Sequence, residues 1–136
     1  MRMTLRVLLA IAAFAPAAHA ETQPADASPL AAQTGLASYY AHKFEGLRTA
    51  SGEIFRHAAL IAAHPTWPLG TLARVTHLGT GRSVDVRIND RGPSAAPRRK
   101  GVIIDLSHRA ARELDMMRAG RARVSVEVLE WGSHGR

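Results

Sequence analysis

Residues 84 to 93 place an acidic side chain where proton-transfer chemistry is possible. Val84, Val86 and Ile88 alternate with polar residues, a period of two that predicts a strand with one buried face. Asp90 continues this alternation on the predicted buried face, at the point where the strand enters a Gly-Pro turn. Burial at a strand end raises the pKa of a carboxyl group, whereas a neighbouring cation such as Arg91 lowers it. Asp90 is therefore either an acid able to donate a proton or a residue that merely hydrogen-bonds the turn.

Other residues also have both a chemical and a structural interpretation. Glu53 follows Ser-Gly and is either a functional carboxylate or a solvated turn residue. His64 precedes a proline and is either a site residue or a hydrogen-bonded loop histidine. Tyr39 and Trp67 could stack on sugar rings, although aromatic residues of small barrels are as often in the core. Asp105, two residues before a predicted helix cap, is interpreted as helix-entry electrostatics.

Histidine spacing and net charge restrict the ligands that we expect. The chain has seven histidines, but no pair shows zinc-site spacing with a third ligand, so we predict neither a metal nor a cofactor. The formal net charge of +7 would suggest nucleic acid for a cytoplasmic protein. In an exported protein it suits an anionic surface such as the cell wall. Base-stacking aromatic residues are scarce, so no nucleic-acid partner is expected.

The first 20 residues predict a secretory signal peptide. Arg2 and Arg6 lie at the start of the chain, Leu5 and residues 7–15 form an apolar centre that is too short to span a bilayer, and Ala18-His19-Ala20 is a small-x-small cleavage site. The chain contains no cysteine, which excludes disulfides and a lipid-modified cysteine. We therefore expect an exported protein, periplasmic or secreted, without a transmembrane or lipid anchor and acting as a monomer.

The remaining chain predicts one small, mainly β domain. We expect a flexible leader over 21–34, the folded domain over 35–130 and a disordered tail over 131–136. The basic stretch from Ser94 to Gly101 is expected to be a loop. Ser107 is expected to N-cap a helix of about eight to ten residues. Several short strands and this one short helix predict a closed β-barrel with a helical crossover. The predicted strands cover 35–41, 60–63, 71–78, the segment ending at Asn89, 102–104 and 121–129.

Six sequence blocks, in order, resemble the rare lipoprotein A family of septal lytic transglycosylases. The resemblance extends over nearly the whole folded part and implies a six-stranded double-psi β-barrel. The blocks are Gly35-Leu36-Ala37-Ser38-Tyr39-Tyr40, Phe44-x-Gly46-x-x-Thr49-Ala50-Ser51-Gly52-Glu53, Leu60-x-Ala62-Ala63-His64, Pro68-Leu69-Gly70-Thr71, Asn89-Asp90-Arg91-Gly92-Pro93 and Asp105-Leu106-Ser107.

The resemblance also implies an activity, a lyase reaction without a cofactor. The enzyme would cut peptidoglycan strands internally at the β-1,4 bond after N-acetylmuramic acid and leave a 1,6-anhydro end. One carboxyl group would protonate the leaving oxygen and then accept the proton of the C6 hydroxyl. By the resemblance Asp90 is this acid/base, Glu53 its electrostatic partner and His64 a residue that orients substrate, although the two carboxylates could exchange roles.

Further residues are expected to bind the glycan, and two other functions stay open. The resemblance implies substrate contacts for Thr49, Tyr39, Arg91 and Trp67. Arg56 stands where the family often has an aspartate and reverses a charge three residues from Glu53. That change motivates an alternative, a non-catalytic barrel that grips wall glycan as expansins do. A third hypothesis is a basic exported protein that binds anionic lipid or polysaccharide through charge alone.

Overall fold

Six strands form a closed barrel in this computed structural model, which describes residues 28–133. The order around the barrel is β1-β5-β2-β4-β3-β6. The pairs β1–β5 and β2–β4 are parallel and the other four pairs are antiparallel. The mainly β double-psi barrel implied by the resemblance is confirmed. The elements are β1 (Ala32–Tyr39), β2 (Ile61–Ala63), β3 (Leu72–His77), β4 (Ser83–Asp90), α1 (Ala95–Arg99), β5 (Val102–Leu106), α2 (His108–Glu113) and β6 (Ala122–Glu130).

The barrel interior is filled by the apolar side chains that occupy every second position of its strands. Val84, Val86 and Ile88 of β4 point inward, as their alternation predicts. Strand β6 does the same with its three valines from Val124 to Val128, all fully buried. Each of these side chains contributes about 1.5–3 kcal/mol through removal from water. The polar residues between them are left facing solvent or the ends of the barrel.

The folded domain extends further at both ends of the described chain than the sequence suggests. Residues 32–34, expected in the leader, lie in β1 because Ala32 begins a continuous antiparallel pairing with β6. At the other end, the N–H of Gly132 donates to Thr71 Oγ1 at 3.1 Å and the ring of Trp131 meets Trp67 edge-on. The domain therefore includes parts of the expected leader and tail. The predicted signal peptide lies outside the described residues.

Two short helices are present where one was expected. The basic stretch predicted to be a loop contains α1, whose Pro97 falls in the first turn, where a missing N–H is tolerated. The predicted cap of α2 is confirmed, because Ser107 Oγ accepts from Ala110 N at 3.3 Å. Helix α2 ends after six residues, and Asp115 follows at a φ of 56°. Within residues 28–133, no helix combines the length and apolar character needed to cross a membrane.

Replacement of Ser107 should weaken the whole fold. Its buried hydroxyl caps α2 and also donates to the Ala59 carbonyl at 2.6 Å. Ser107→Ala leaves that carbonyl and one helix N–H without their partner, so we expect a loss of about 1–3 kcal/mol in the free energy of unfolding. Urea denaturation measures this loss. The exposed Ser83→Ala is the matched control and should change stability by less than about 0.5 kcal/mol.

Candidate active site

The end of strand β4 holds Asp90 with both carboxylate oxygens engaged. The backbone N–H groups of Ala50 and Arg91 donate to Oδ1, each at 2.9 Å. The hydroxyl of Tyr40 donates to Oδ2 at 2.6 Å. Three donors fix the orientation of this carboxylate, which as an ion only accepts hydrogen bonds. The side chain predicted to be the acid is thus partly buried and lines a groove at the barrel mouth.

A second carboxyl group, Asp105, lines the same groove. Strand β2 lies between β4 and β5, and its Ala63 is paired with Asp90 on one side and with Asp105 on the other. The two aspartates therefore lie on backbones two strand spacings apart, about 10 Å. On the far side, Ser38 of β1 is paired with Asp105 and donates its hydroxyl hydrogen to Oδ1. The four residues form one row across the sheet.

The two acids of this row differ in their electrostatic environments. Burial raises the pKa of Asp105 above its ordinary value, against the opposing effects of the Ser38 hydrogen bond and of Arg121, and the negative charge of Asp90 raises it further. Burial and the hydrogen bond to Asp90 also raise the pKa of Tyr40. The raised pKa of Asp105 favours its protonated form relative to an ordinary aspartate.

The sequence analysis did not include Asp105 in the site. Its interpretation as helix-entry electrostatics does not account for its place in the groove. Strand β5 buries Val102, Ile104 and Leu106, so Asp105 necessarily faces the opposite side. Asp105 is an acid on the outward-facing side of a short apolar strand, and this pattern could have identified it as a site residue. The identification also needs the knowledge that β5 lies next to β2.

His64 has a structural environment rather than a place in this groove. It is 2% exposed, and its Nδ1 accepts from the N–H groups of Thr66 and Trp67 at 3.1 and 3.0 Å. Its Nε2 contacts Gln33 Oε1 at 2.9 Å and its ring stacks on Trp67. Burial, with a smaller effect from Arg91, lowers the pKa of His64 to about 4. The neutral ring therefore holds the 64–67 loop, and does not face the two aspartates.

Glu53 and Thr49 belong to a turn that packs beside Asp90. Glu53 is exposed, and its carboxylate accepts from Ser51 Oγ at 3.1 Å. Thr49 is buried and donates its hydroxyl hydrogen to the backbone carbonyl of Glu53. The N–H of Ser51 donates to the Asn89 carbonyl at 3.1 Å, which attaches the turn to β4. Neither predicted residue lines the groove; the turn reaches Asp90 through its backbone.

The remaining predicted substrate contacts divide into two groups. Tyr39 and Arg91 line the groove, where the Tyr39 hydroxyl donates to the Met117 carbonyl and Arg91 Nη1 donates to the Trp67 carbonyl, both at 2.7 Å. Trp67 is only 7% exposed, whereas Trp131 beside it is 42% exposed. The accessible aromatic face is therefore that of Trp131, which the sequence analysis placed in a tail.

The floor of the groove requires a small residue after Arg91. Gly92 has a φ of 150°, a conformation that side chains rarely adopt. A Cβ atom there would lie 3.4 Å from the Ala63 Cβ and 3.5 Å from Asp105 Oδ2. Glycine therefore lets the turn after β4 pass close to the second carboxyl group.

A separate group of side chains has the residue types of a metal site. Within residues 28–133, it consists of His42, His57 and His108, and includes neither aspartate. As placed, they are not arranged around an ion, because both ring nitrogens of His57 are already hydrogen-bonded, Nε2 to the Ala41 carbonyl and Nδ1 to the backbone N–H of His108, each at 3.2 Å. His108 Nε2 contacts the Tyr40 carbonyl at 2.7 Å, so Tyr40 joins this group to the carboxyl pair.

The buried His64 should make stability depend on pH. Its pKa of about 4 lies below the usual 6.5, so the unfolded chain binds the proton more readily and stability falls as the pH drops from 6.5 towards 4. His64→Asn keeps an acceptor near the Nδ1 position and removes the titration. Between pH 7 and 4, we expect the native chain to lose about 3 kcal/mol more than the variant in urea denaturation. Parallel losses would contradict the assignment.

Known proteins share this fold and much of this sequence. A family model described as lytic transglycolase matches residues 32–126. The probable endolytic peptidoglycan transglycosylase RlpA of Treponema pallidum is 53% identical over 100 residues, and RlpA of Campylobacter jejuni is 46% identical over 99 residues. These alignments cover 74% and 73% of this chain but 30% and 34% of the relatives, so the chain spans about a third of their length.

Solved structures give the fold independently. A Streptomyces papain inhibitor aligns with a TM-score of 0.59 at 22% identity, over 75% of this chain and 97% of its own. An expansin of Clavibacter michiganensis aligns with a TM-score of 0.57 at 19% identity, over 76% of this chain and 52% of its own. The family match over residues 32–126 spans the positions of all six sequence blocks. The chain belongs to the lytic transglycolase family.

Proposed function

We propose that this domain is an endolytic peptidoglycan lytic transglycosylase whose reaction takes place at Asp90 and Asp105. The family and the names of the relatives support the reaction class. The observation that carries the proposal is the pairing of Ala63 with both aspartates, which turns two acids towards one groove. The substrate would be the glycan strand of the cell wall.

The reaction needs one group that gives and then takes a proton. As the bond between C1 of N-acetylmuramic acid and the bridging oxygen breaks, that oxygen receives the proton. The C6 hydroxyl oxygen then bonds to C1, and its proton passes to the same carboxylate. Asp105 suits this role, because its raised pKa keeps the acid form available. This differs from the sequence-based assignment of Asp90.

Asp90 suits the complementary role of a fixed negative charge. Its three hydrogen-bond donors, Tyr40 among them, hold the carboxylate in one orientation. Positive charge develops at C1 as the bond breaks, and a pre-oriented carboxylate stabilises it without reorganisation. Glu53, the partner predicted from sequence, is exposed and lies in the flanking turn, so its charge is screened by solvent.

The groove continues beyond the carboxyl pair towards the aromatic surface. The depression next to the groove shares Arg91 and Ser94 with it. A second depression shares Arg98 and Pro65 with the first, and a third is lined by the exposed ring of Trp131. A path with cationic walls suits an anionic polymer, and an exposed indole suits the apolar face of a sugar ring. The length of the path supports binding within a strand rather than at its end.

Arg56 was the reason for considering a non-catalytic barrel. Arg56 forms an exposed ion pair with Glu45 at 3.6 Å and does not line the groove. The charge reversal that suggested an inactive barrel therefore leaves the carboxyl pair untouched. Export to the periplasm or beyond and a monomeric state remain predictions; the first follows from a substrate that lies outside the cytoplasmic membrane.

Replacing either aspartate should stop the reaction without unfolding the protein. Asp105→Asn removes the proton carrier and Asp90→Asn removes the stabilising charge, so we expect each to lower the rate at least about 100-fold. Mass spectrometry of the material released from purified sacculi measures the anhydro-ended products. Asp85→Asn, an exposed acid paired with Arg74, is the matched control. Undiminished release by a folded Asp105→Asn would remove Asp105 from the mechanism, and release of reducing ends would indicate a hydrolase.

The pKa of Asp105 should depend on the charge of Asp90. The charge of Asp90 contributes to the raised pKa of Asp105, so Asp90→Asn should lower the pKa of Asp105. Carbon-13 NMR titration of the side-chain carboxyl groups measures this directly and needs no substrate. Asp85→Asn should leave the titration of Asp105 unchanged. A titration of Asp105 that is insensitive to Asp90→Asn would mean that the charge of Asp90 does not act on Asp105.

Trp131 should contribute to glycan binding and not to the chemical step. Trp131→Ala removes the exposed indole, so we expect binding to sacculi to weaken by about 1–3 kcal/mol. The control is Leu78→Ala, which removes another half-exposed apolar side chain far from the groove. Sedimentation with sacculi measures the affinity. Equal binding by native and Trp131→Ala protein would exclude the aromatic surface from the path.

A further inference from the structure

One aromatic residue of the groove has no part in the proposed reaction. Phe44 ends the 3₁₀ turn His42–Phe44 after β1, and it lines the same groove as Asp90 and Asp105. Its side chain keeps contact with solvent, since the residue is 37% exposed. Phe44 does not line the depressions that lead to Trp131. The groove therefore has an accessible aromatic ring of its own, beside the carboxyl pair.

The Phe44 ring rests on a rigid support. It meets the Tyr40 ring at 90° with centroids 5.4 Å apart, and Tyr40 in turn stacks on the buried Phe55. The backbone is fixed as well, because the N–H of Phe44 donates to the Ala41 carbonyl at 3.2 Å and the N–H of Leu47 donates to the Phe44 carbonyl at 3.1 Å. A side chain that is already ordered loses little conformational entropy when a ligand packs on it.

The faces of the Phe44 ring remain available to a ligand. A perpendicular contact places the edge of one ring against the face of the other, so at least one face of Phe44 lies outside its contact with Tyr40. The Lys43 ammonium lies over the ring at 5.7 Å from its centroid, close to the outer limit of about 6 Å for a cation–π contact. Lys43 is exposed, and within residues 28–133 its ammonium forms no ion pair. Its long side chain can therefore move aside and keep its charge at the edge of the ring.

An apolar ring face beside a cation suits a sugar that carries an acidic substituent. The C–H groups of a pyranose ring pack on the aromatic face, and the ammonium attracts the carboxylate. Every second sugar of a wall glycan strand is N-acetylmuramic acid, whose lactyl group ends in a carboxylate or in a peptide that carries carboxylates. The sugar between two of these, N-acetylglucosamine, is neutral. Phe44 and Lys43 together thus have the chemistry to tell the two sugars apart.

We propose that Phe44 and Lys43 form a subsite for an N-acetylmuramic acid residue of the glycan strand. Its ring would stack on Phe44 and its acidic substituent would meet the Lys43 ammonium. The proposal rests on the proposed function, since it takes wall glycan as the ligand of the groove. It adds a cause of specificity, because a sugar fixed beside the carboxyl pair determines which of the two alternating β-1,4 bonds reaches the acids.

The aromatic surface at Trp131 does not supply this selection. Of residues 28–133, no cationic side chain lines the depression at Trp131. An indole without a cation packs on either sugar of the strand with similar strength. The distant surface therefore contributes affinity, whereas the subsite at Phe44 contributes the register of the strand in the groove.

The test is the binding of two soluble probes to the full chain carrying Asp105→Asn, so that the measurement needs no turnover. One probe is a chitin oligosaccharide, which contains only neutral N-acetylglucosamine. The other is wall glycan freed of peptide, in which each N-acetylmuramic acid has a free carboxylate. In isothermal titration, Phe44→Ala should weaken binding of both probes about tenfold. Lys43→Gln should weaken only the wall glycan, by about threefold, and this loss should disappear at about 1 M salt.

Matched variants separate stacking from effects on the fold. Leu47→Ala removes an apolar side chain that is 52% exposed, three residues further along and outside the groove, and should bind both probes normally. Phe44→Trp keeps an aromatic face and should bind the chitin oligosaccharide as the native residue does. Phe44→Leu keeps apolar bulk against Tyr40 without a flat face, so it should retain the native Tm and still lose binding about fivefold.

The outcomes distinguish this proposal from the proposed reaction. Unchanged binding by a folded Phe44→Leu, or equal effects of Lys43→Gln on both probes, would overturn the subsite even if the native chain releases anhydro products from sacculi. Binding of neither probe by the Asp105→Asn chain would overturn it as well. The expected pattern of binding in a chain that releases no anhydro products would support the subsite and remove the reaction.

Discussion

The position of one small residue between two acids determines the architecture of the groove. Ala63 is in register with Asp90 on β4 and with Asp105 on β5, so both carboxyl groups emerge on the same side of the sheet. On the β4 side this register depends on an irregularity, since the pairing passes from Ile88 to Asp90 and skips Asn89. Like charges in a partly buried row are unfavourable unless one is neutral and the other well bonded. Tyr40, directly after β1, donates to Asp90, whereas burial raises the pKa of Asp105 against the opposing effect of the Ser38 hydrogen bond.

Tyr40 connects the reaction site to a small core of its own. Its ring stacks on Phe55 with centroids 4.2 Å apart, and the two pack with Ile61 and Ala63 outside the main barrel core. The donor to Asp90 is therefore fixed by apolar packing rather than by a flexible loop. A catalytic carboxylate held by a rigid donor loses little free energy to reorganisation when charge develops in the substrate. In the proposed mechanism, the second core therefore positions Asp90 through Tyr40.

Local patterns in the sequence were sufficient to predict most strands of the barrel and to select one of the two acids as a site residue. The alternation around Val86 predicted β4, and Ser107 predicted the cap of α2. Both depend on residues within one turn or strand. The face predicted for Asp90 was wrong, because the register between β2 and β4 skips the buried Asn89 and turns Asp90 to the side opposite Ile88. Asp105 was misinterpreted because its role depends on β5 lying beside β2, a pairing between strands that are distant in the chain. The ends of the domain were misplaced for the same reason, since Ala32 is ordered by pairing with β6.

The histidines show the same limit more sharply. His64 lies within a family block, yet its ring is buried against Trp67 and acts through the loop that it holds. His57 and His108 carry no local signal at all, and only the return of the chain to the Tyr40 backbone stacks one on the other. Spacing along the sequence detects metal ligands when one turn or hairpin supplies two of them. Where each histidine comes from a different segment, only the tertiary contacts of the closed barrel determine the environment of its ring.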